Sequence, residues 1–187
     1  MDQAALALLG ARLVSTVGGV TTVAVVVETE AYGGPDDPAS HAATRSGVTP
    51  RNRPMFGPPG HAYVYRSYGM HWCVNVVTGA DGDPQAVLIR GVEALEGVDT
   101  MARRRGGKLP LAAGPGRVCQ ALGIDGSLNG HDLCEPPLIL SAGWDVDPSV
   151  VGVSGRVGVS AAADRLLRFY VAGSVGVSRG PSRTENG

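Results

Sequence analysis

The dominant pattern along the chain is a set of short runs rich in β-branched residues, punctuated by glycine and proline. Ala11 to Val17 and Val20 to Tyr32 are two such runs flanking Gly18-Gly19, which predicts a hairpin. His61 to Val77 predicts two strands around a turn at Arg66-Ser67-Tyr68-Gly69, and Gln85 to Val92 predicts another. Shorter strands are expected at Leu138–Ser141, Arg156–Val159 and Leu166–Val171. Helical stretches are fewer: residues 3–9 closed by Gly10, residues 93–104, and a segment opened by Gly114-Pro115-Gly116-Arg117 that ends near Gly123.

Gly33 to Gly60 is a 28-residue stretch with six prolines and five glycines. A connection that long inside a domain usually carries function. Asp37 as N-cap with Pro38 in the first turn predicts a short helix running to about Arg45 and presenting His41. No internal repeat is visible. The expected architecture is α+β: a single domain over residues 1–178, with an antiparallel β-sheet core, peripheral helices and a protruding β-hairpin. A polar tail, 179–187, is expected to be disordered.

Composition narrows the function classes. With 187 residues and 43% hydrophobic content, the chain buries one sizeable core and is neither fibrous nor disordered. No apolar run approaches the ~20 residues of a membrane span. Met1-Asp2-Gln3 lacks the basic residues that open a secretory signal, so the expected location is cytoplasmic. Three scattered cysteines without a C-x-x-C or a histidine at ligand spacing predict no metal; His71 and Cys73 on one strand face are only two potential ligands. No cofactor motif is present.

The net charge of −1 hides segregation. Pro38 to Ala80 contains no acid but holds Arg45, Arg51, Arg53 and Arg66; Thr100 to Ile124 contains none but holds Arg103, Arg104, Arg105, Lys108 and Arg117. Such stretches are either a solvated surface or a local phosphate-binding face. Lys108 is the only lysine, in a glycine-flanked segment poorly suited to Schiff-base chemistry.

Several residues stand out chemically. On a strand, Glu28, Glu30 and Tyr32 share one face, so either glutamate is a candidate carboxylate. Tyr63 and Tyr65 are core or an aromatic platform. A tyrosine at a hairpin tip, Tyr68, departs from ordinary turn chemistry. Asn75 in a valine-rich strand and Arg90 among apolar neighbours each require a partner. An enzyme that removes a base from DNA needs these parts: a carboxylate for water, aromatic faces for the base, and a wedge for the vacated stack.

Val27-Glu28-Thr29-Glu30-Ala31-Tyr32, Gly34-Pro35, His41, Thr49-Pro50-Arg51-Asn52-Arg53, Met55-Phe56, Tyr63-Val64-Tyr65 and Tyr68-Gly69-Met70 occur in order. Asn75, Val87-Leu88-Ile89-Arg90, Gly114-Pro115-Gly116-Arg117, Gln120 to Ile124, Arg156 to Val159 and Leu167 to Val171 follow. This ordered set resembles the alkyladenine (3-methyladenine) DNA glycosylase family over nearly the whole chain.

The resemblance implies a monofunctional DNA glycosylase acting on alkylated or deaminated purines in duplex DNA by base flipping, as a monomer. It implies Glu30 as general base and Glu28 as structural. Tyr32 would stack on one face of the base, His41 would read its edge from the same side, and Tyr65 would form the other wall. Tyr68 would fill the vacated space, Arg90 would lie near the flipped nucleotide and water, and Asn75 would discriminate against guanine. Arg45, Arg51, Arg53 and Arg117 are expected to meet DNA phosphates. Two alternatives carry different requirements: a non-catalytic lesion-binding module has no use for Glu30, and a hydrolase of free nucleosides has none for Tyr68.

Overall fold

Two twelve-residue strands, β2 (Thr22–Gly33) and β5 (Gln85–Glu96), pair antiparallel and form the spine of the sheet. Their valine-rich sequences suit a pleated surface covered on both sides, and almost every side chain of β2 is buried. The computed structural model describes residues 1–34, 36–40 and 47–180.

Beyond β5 lie β4 (His71–Val77) and then β3 (Ala62–Ser67). The other edge of β2 is shared. Its first half pairs with β1 (Arg12–Ser15), which continues to β6 (Leu138–Ser141); its second half pairs with β8 (Arg168–Val171), which continues to β7 (Val151–Ser154). All of these pairings are antiparallel, and the sheet forks along β2.

Among the described residues, three α-helices flank it: α1 (Asp2–Ala7), α2 (Val98–Arg104) and α3 (Pro115–Leu122). Val118, Ala121 and Leu122 of α3 and Met101 of α2 pack on Ala24, Val26, Val74 and Ile89 in the main core. A second cluster joins Ala5 and Leu9 to Ala31, Val87 and Phe169. The α+β architecture is therefore the expected one. Among the described residues, no helix is long and apolar enough to cross a membrane.

Three local expectations are corrected. Residues 93–96 are strand, not helix: Glu93, Ala94 and Glu96 face Val25, Ala24 and Val23, and pairing along β2 outweighs their helical propensity. The strand ends at Gly97, whose φ of 70° and closeness to the Thr21 carbonyl exclude a side chain. Near the C-terminus the strand is Val151–Ser154, and 156–159 forms a loop because Arg156 turns inward to a buried partner. That partner is Asp37. Over 36–40 the chain makes turns rather than a helix, with Asp37 accepting from the Ala39 amide and from Arg156. The rest of that expected helix, and 181–187 of the expected disordered tail, lie outside the described residues.

Candidate active site

Glu28, Glu30 and Tyr32 project from one face of β2, as their alternation predicts. Arg90 meets them through an irregularity in β5. Glu28 faces Gly91 while Thr29 faces Ile89, so Arg90 is an extra residue on its strand. Such bulges re-aim side chains. Here the guanidinium reaches both acids, with Nε 3.2 Å from Glu28 Oε1 and Nη1 3.4 Å from Glu30 Oε2. Gly91 permits the close approach, since a Cβ there would stand 3.0 Å from Glu28 Oε2.

The two glutamates are both fully buried, yet their surroundings differ. Glu28 accepts four hydrogen bonds: from Arg90 Nε, Arg168 Nε at 2.6 Å, the Ser178 hydroxyl at 2.8 Å and the Ser178 amide at 2.7 Å. Oε1 accepts three of these and Oε2 one, so Glu28 is held by two arginines and the Ser178 loop. Glu30 accepts three: from the Val157 amide at 2.7 Å, the Tyr32 hydroxyl at 2.8 Å and Arg90 Nη1. Among the described residues these are one bond on Oε1 and two on Oε2.

Burial pushes the Glu30 carboxyl above its usual range, and Arg90, the Val157 amide and the Tyr32 hydroxyl oppose this without cancelling it. Burial, followed by the charge of Glu30, pushes the Tyr32 phenol up, so its hydroxyl stays a neutral donor. Burial works against the Arg90 charge, but Glu30 and Glu28 hold its pKa above the ordinary value.

A cavity of about 1020 Å³ opens against this cluster. Tyr32, Arg90 and Val157, which supply the three donors to Glu30, all line it. Glu30 itself sits one layer behind. Tyr63, Tyr65, Met55, Cys73 and Leu88 form further wall, and the Tyr63 and Tyr65 rings stack at 5.2 Å. Burial pushes the Cys73 thiol up to about 11, which leaves it a neutral packing group. The Asn75 amide, 4% exposed, is fixed by donation to the Tyr63 carbonyl at 2.9 Å.

Tyr68, His71, Arg51 and the start of α3 (Gly114 to Arg117) also line the cavity. The Arg51 guanidinium lies 5.7 Å from the Tyr65 ring centroid and donates to the Arg66 carbonyl. At the tip of the β3–β4 hairpin, Tyr68 is 85% exposed and adopts a φ of 48°. Left-handed backbone at a non-glycine residue is uncommon, and a large exposed phenol there serves no packing purpose.

Tyr32, Tyr65, Tyr68, Asn75, Arg90, Arg51 and Arg117 thus surround one cavity, and Glu30 joins them through its donors. Arg53 is exposed on the 3-10 turn Arg53–Phe56 and does not line it. His41 and Arg45 lie outside the described residues. Sequence reasoning gave no site role to Arg156, Arg168, Ser178 or the Val157 amide, and read Asp37 only as a helix cap. The two arginines carried a usable signal: each is a charge within an apolar run, the same anomaly that singled out Arg90.

A buried acid whose donors line an aromatic cavity, steadied by an arginine, is the equipment of a hydrolase. The chain belongs to the methylpurine-DNA glycosylase (MPG) family, whose model matches residues 1–175. It is 50% identical over 165 residues to a protein of Methanoculleus marisnigri, covering 86% of this chain and 84% of that protein. It is 49% identical over 176 residues to one of Agrobacterium fabrum, covering 92% and 84%, and 51% identical over 183 residues to one of Mycolicibacterium fortuitum, covering 94% and 91%. Each of these bears the name "Putative 3-methyladenine DNA glycosylase". Family membership makes the protein a DNA-repair hydrolase of N-glycosyl bonds, which decides against a binding module without catalysis.

Proposed function

We propose that the protein excises 3-methyladenine and related alkylated purines, together with deaminated purines, from duplex DNA, by flipping the base into the cavity and directing water at C1′ from Glu30. The observation that carries this reading is the contrast between the two glutamates. Among the described residues, the three donors to Glu30 (Tyr32, Arg90 and the Val157 amide) all line the cavity, whereas Arg168 and Ser178, which hold Glu28, do not.

In this mechanism Glu30 takes the proton as the water oxygen bonds to C1′ and the glycosidic bond breaks, its electrons leaving with the base. Arg90 holds the carboxylate in place. An N3- or N7-alkylated purine carries positive charge and departs neutral, while hypoxanthine departs as an anion that takes its proton from solvent water. Tyr32 and Tyr65 stack on the flipped base, and a cationic purine gains further attraction to their π-faces. Tyr68 occupies the space the base vacates. Asn75 crowds the N2 amine that distinguishes guanine from adenine and hypoxanthine. His41 reads the base edge, and Arg45, Arg51, Arg53 and Arg117 contact phosphates; the resemblance to the glycosylase family supports these roles. The enzyme acts as a monomer.

The test is excision from duplexes carrying 3-methyladenine, 7-methylguanine, hypoxanthine or ethenoadenine, read as alkali-labile strand breaks. Glu30→Gln is expected to abolish breaks on every lesion while lesion-duplex binding persists, because the cavity keeps its shape. Continued turnover by Glu30→Gln would remove Glu30 as the base.

A further inference from the structure

Arg156 and Asp37 form a second buried ion pair beside the site, from residues 119 apart in sequence. Both side chains are fully enclosed, and the pair is bidentate, with Nη1 2.6 Å from Oδ2 and Nη2 2.8 Å from Oδ1. The planar guanidinium fork matches a carboxylate in this way, whereas an ammonium cannot. Nη1 also donates to the Ala31 carbonyl at 3.0 Å, between Glu30 and Tyr32 in the chain. Asp37 in turn accepts from the Gly33 and Ala39 amides. The pair therefore ties the end of β2 to two loops, 36–40 and 155–159, and both loops contribute to the cavity wall.

Two further contacts link this clamp to the reacting group. The Arg156 guanidinium lies 4.7 Å from the centroid of the Tyr32 ring, a cation on one ring face. The next residue, Val157, donates its amide to Glu30 Oε1 at 2.7 Å. Among the described residues, Arg156 Nε is buried with no hydrogen-bond partner.

We propose that Arg156, held by Asp37, is a positioning residue that sets the Tyr32 ring and the Val157 amide against Glu30, so that aromatic wall and carboxylate are placed as one unit. This rests on the reading of Glu30 as the base. Arg156 touches neither water nor DNA in this role. It acts through Val157, whose hydrogen bond favours the ionised carboxylate, and through Tyr32, whose hydroxyl is the second neutral donor to Glu30.

The groups facing Glu30 are Glu28 and Tyr32 on β2, Arg90 on β5, Arg168 on β8, Tyr65 on β3, Cys73 on β4 and Arg156 on the loop. Arg156→Lys and Asp37→Glu preserve every one of these charges while breaking the bidentate geometry. Single-turnover excision of hypoxanthine from duplex, at saturating protein and from pH 5 to 9, reads the consequence.

Arg156→Lys is expected to excise about ten- to a hundredfold more slowly, the scale of a misplaced reacting group. The midpoint of its acid limb is expected to move to higher pH, since a carboxylate that loses a donor holds its proton more tightly. Thermal unfolding should remain cooperative. If Arg156→Lys does not fold, Asp37→Glu carries the test, with the same two expectations. A folded variant with the wild-type rate overturns the proposal, and so does a slower one whose acid limb has not moved, which marks a purely structural pair. Glu30→Gln is measured alongside. Residual excision by it rejects the base itself, whereas an inert Glu30→Gln beside an unaffected Arg156→Lys rejects only the positioning.

Discussion

At the scale of single residues, the site works through how many hydrogen bonds each side chain already has. Glu30 is desolvated enough for its carboxyl to lie above the usual glutamate range. A base must be ionised, so excision should rise with pH through a midpoint above the ordinary value of 4.5. A pH profile of single-turnover excision on a lesion whose chemistry is slow checks this; a midpoint at or below that value would contradict the buried environment. Asn75 is fixed in orientation by Tyr63. Shortening it in Asn75→Ser should lower the rejection of guanine by about tenfold, the value of one steric contact in a pocket. Guanine release from undamaged duplex, measured against hypoxanthine release, tests this, and an unchanged ratio argues against a steric gate. The strand pattern marked both glutamates as candidates but could not separate Glu28 from Glu30, because alternation gives them the same face; only the family resemblance assigned the base to Glu30. Their partners separate them, and those lie on β5, on β8 and in two distant loops.

At the scale of elements, the β3–β4 hairpin holds a tyrosine where turns normally hold small polar residues. Tyr68 is exposed and in left-handed backbone, so the fold gains little from it. If its ring replaces an extruded base, Tyr68→Ala should weaken lesion binding in duplex by about tenfold or more, corresponding to ~1–3 kcal/mol of stacking. Single-stranded lesion DNA has no vacated stack and should bind about equally well. Fluorescence anisotropy on both substrates reads the difference, and equal losses would speak against a wedge. The hairpin was legible from its alternation, as were β1, β2, β6 and the helix at 115–122. The far half of β5 was not. Glu93 to Glu96 is locally a good helical sequence, and only pairing with Val23, Ala24 and Val25 makes it strand. Likewise Arg156 to Val159 reads as strand by its valines, yet Arg156 is drawn inward to Asp37.

For the whole molecule, two buried acids act on stability in opposite directions. Burial raises the Asp37 carboxyl, but hydrogen bonding and charge from Arg156 more than offset it and leave it below its ordinary 3.8. Its contribution is present above that value and is lost as pH falls through the lower folded one. Glu30 is raised instead. Any stability its protonated form lends is complete below 4.5 and is lost as pH rises through the higher folded value. Calorimetric Tm should therefore drop at the acid end. It should also decline above the ordinary glutamate range, and that second slope should vanish in Glu30→Gln. A Tm that instead climbs through that upper window in wild type would mean Glu30 is stabilised as an anion.

The chain by itself determined most strands of the sheet, the shared face of Glu28, Glu30 and Tyr32, and the presence of charges in apolar runs, because these follow from local period and residue type. Tertiary structure alone decided which acid is held by groups that line the cavity and which charges pair. Glu30 meets Arg90 and Val157 across 60 and 127 residues, and Asp37 meets Arg156 across 119. The free energy of a buried charge depends on solvent exclusion and on donors brought from elsewhere in the chain, and no local window of sequence contains either.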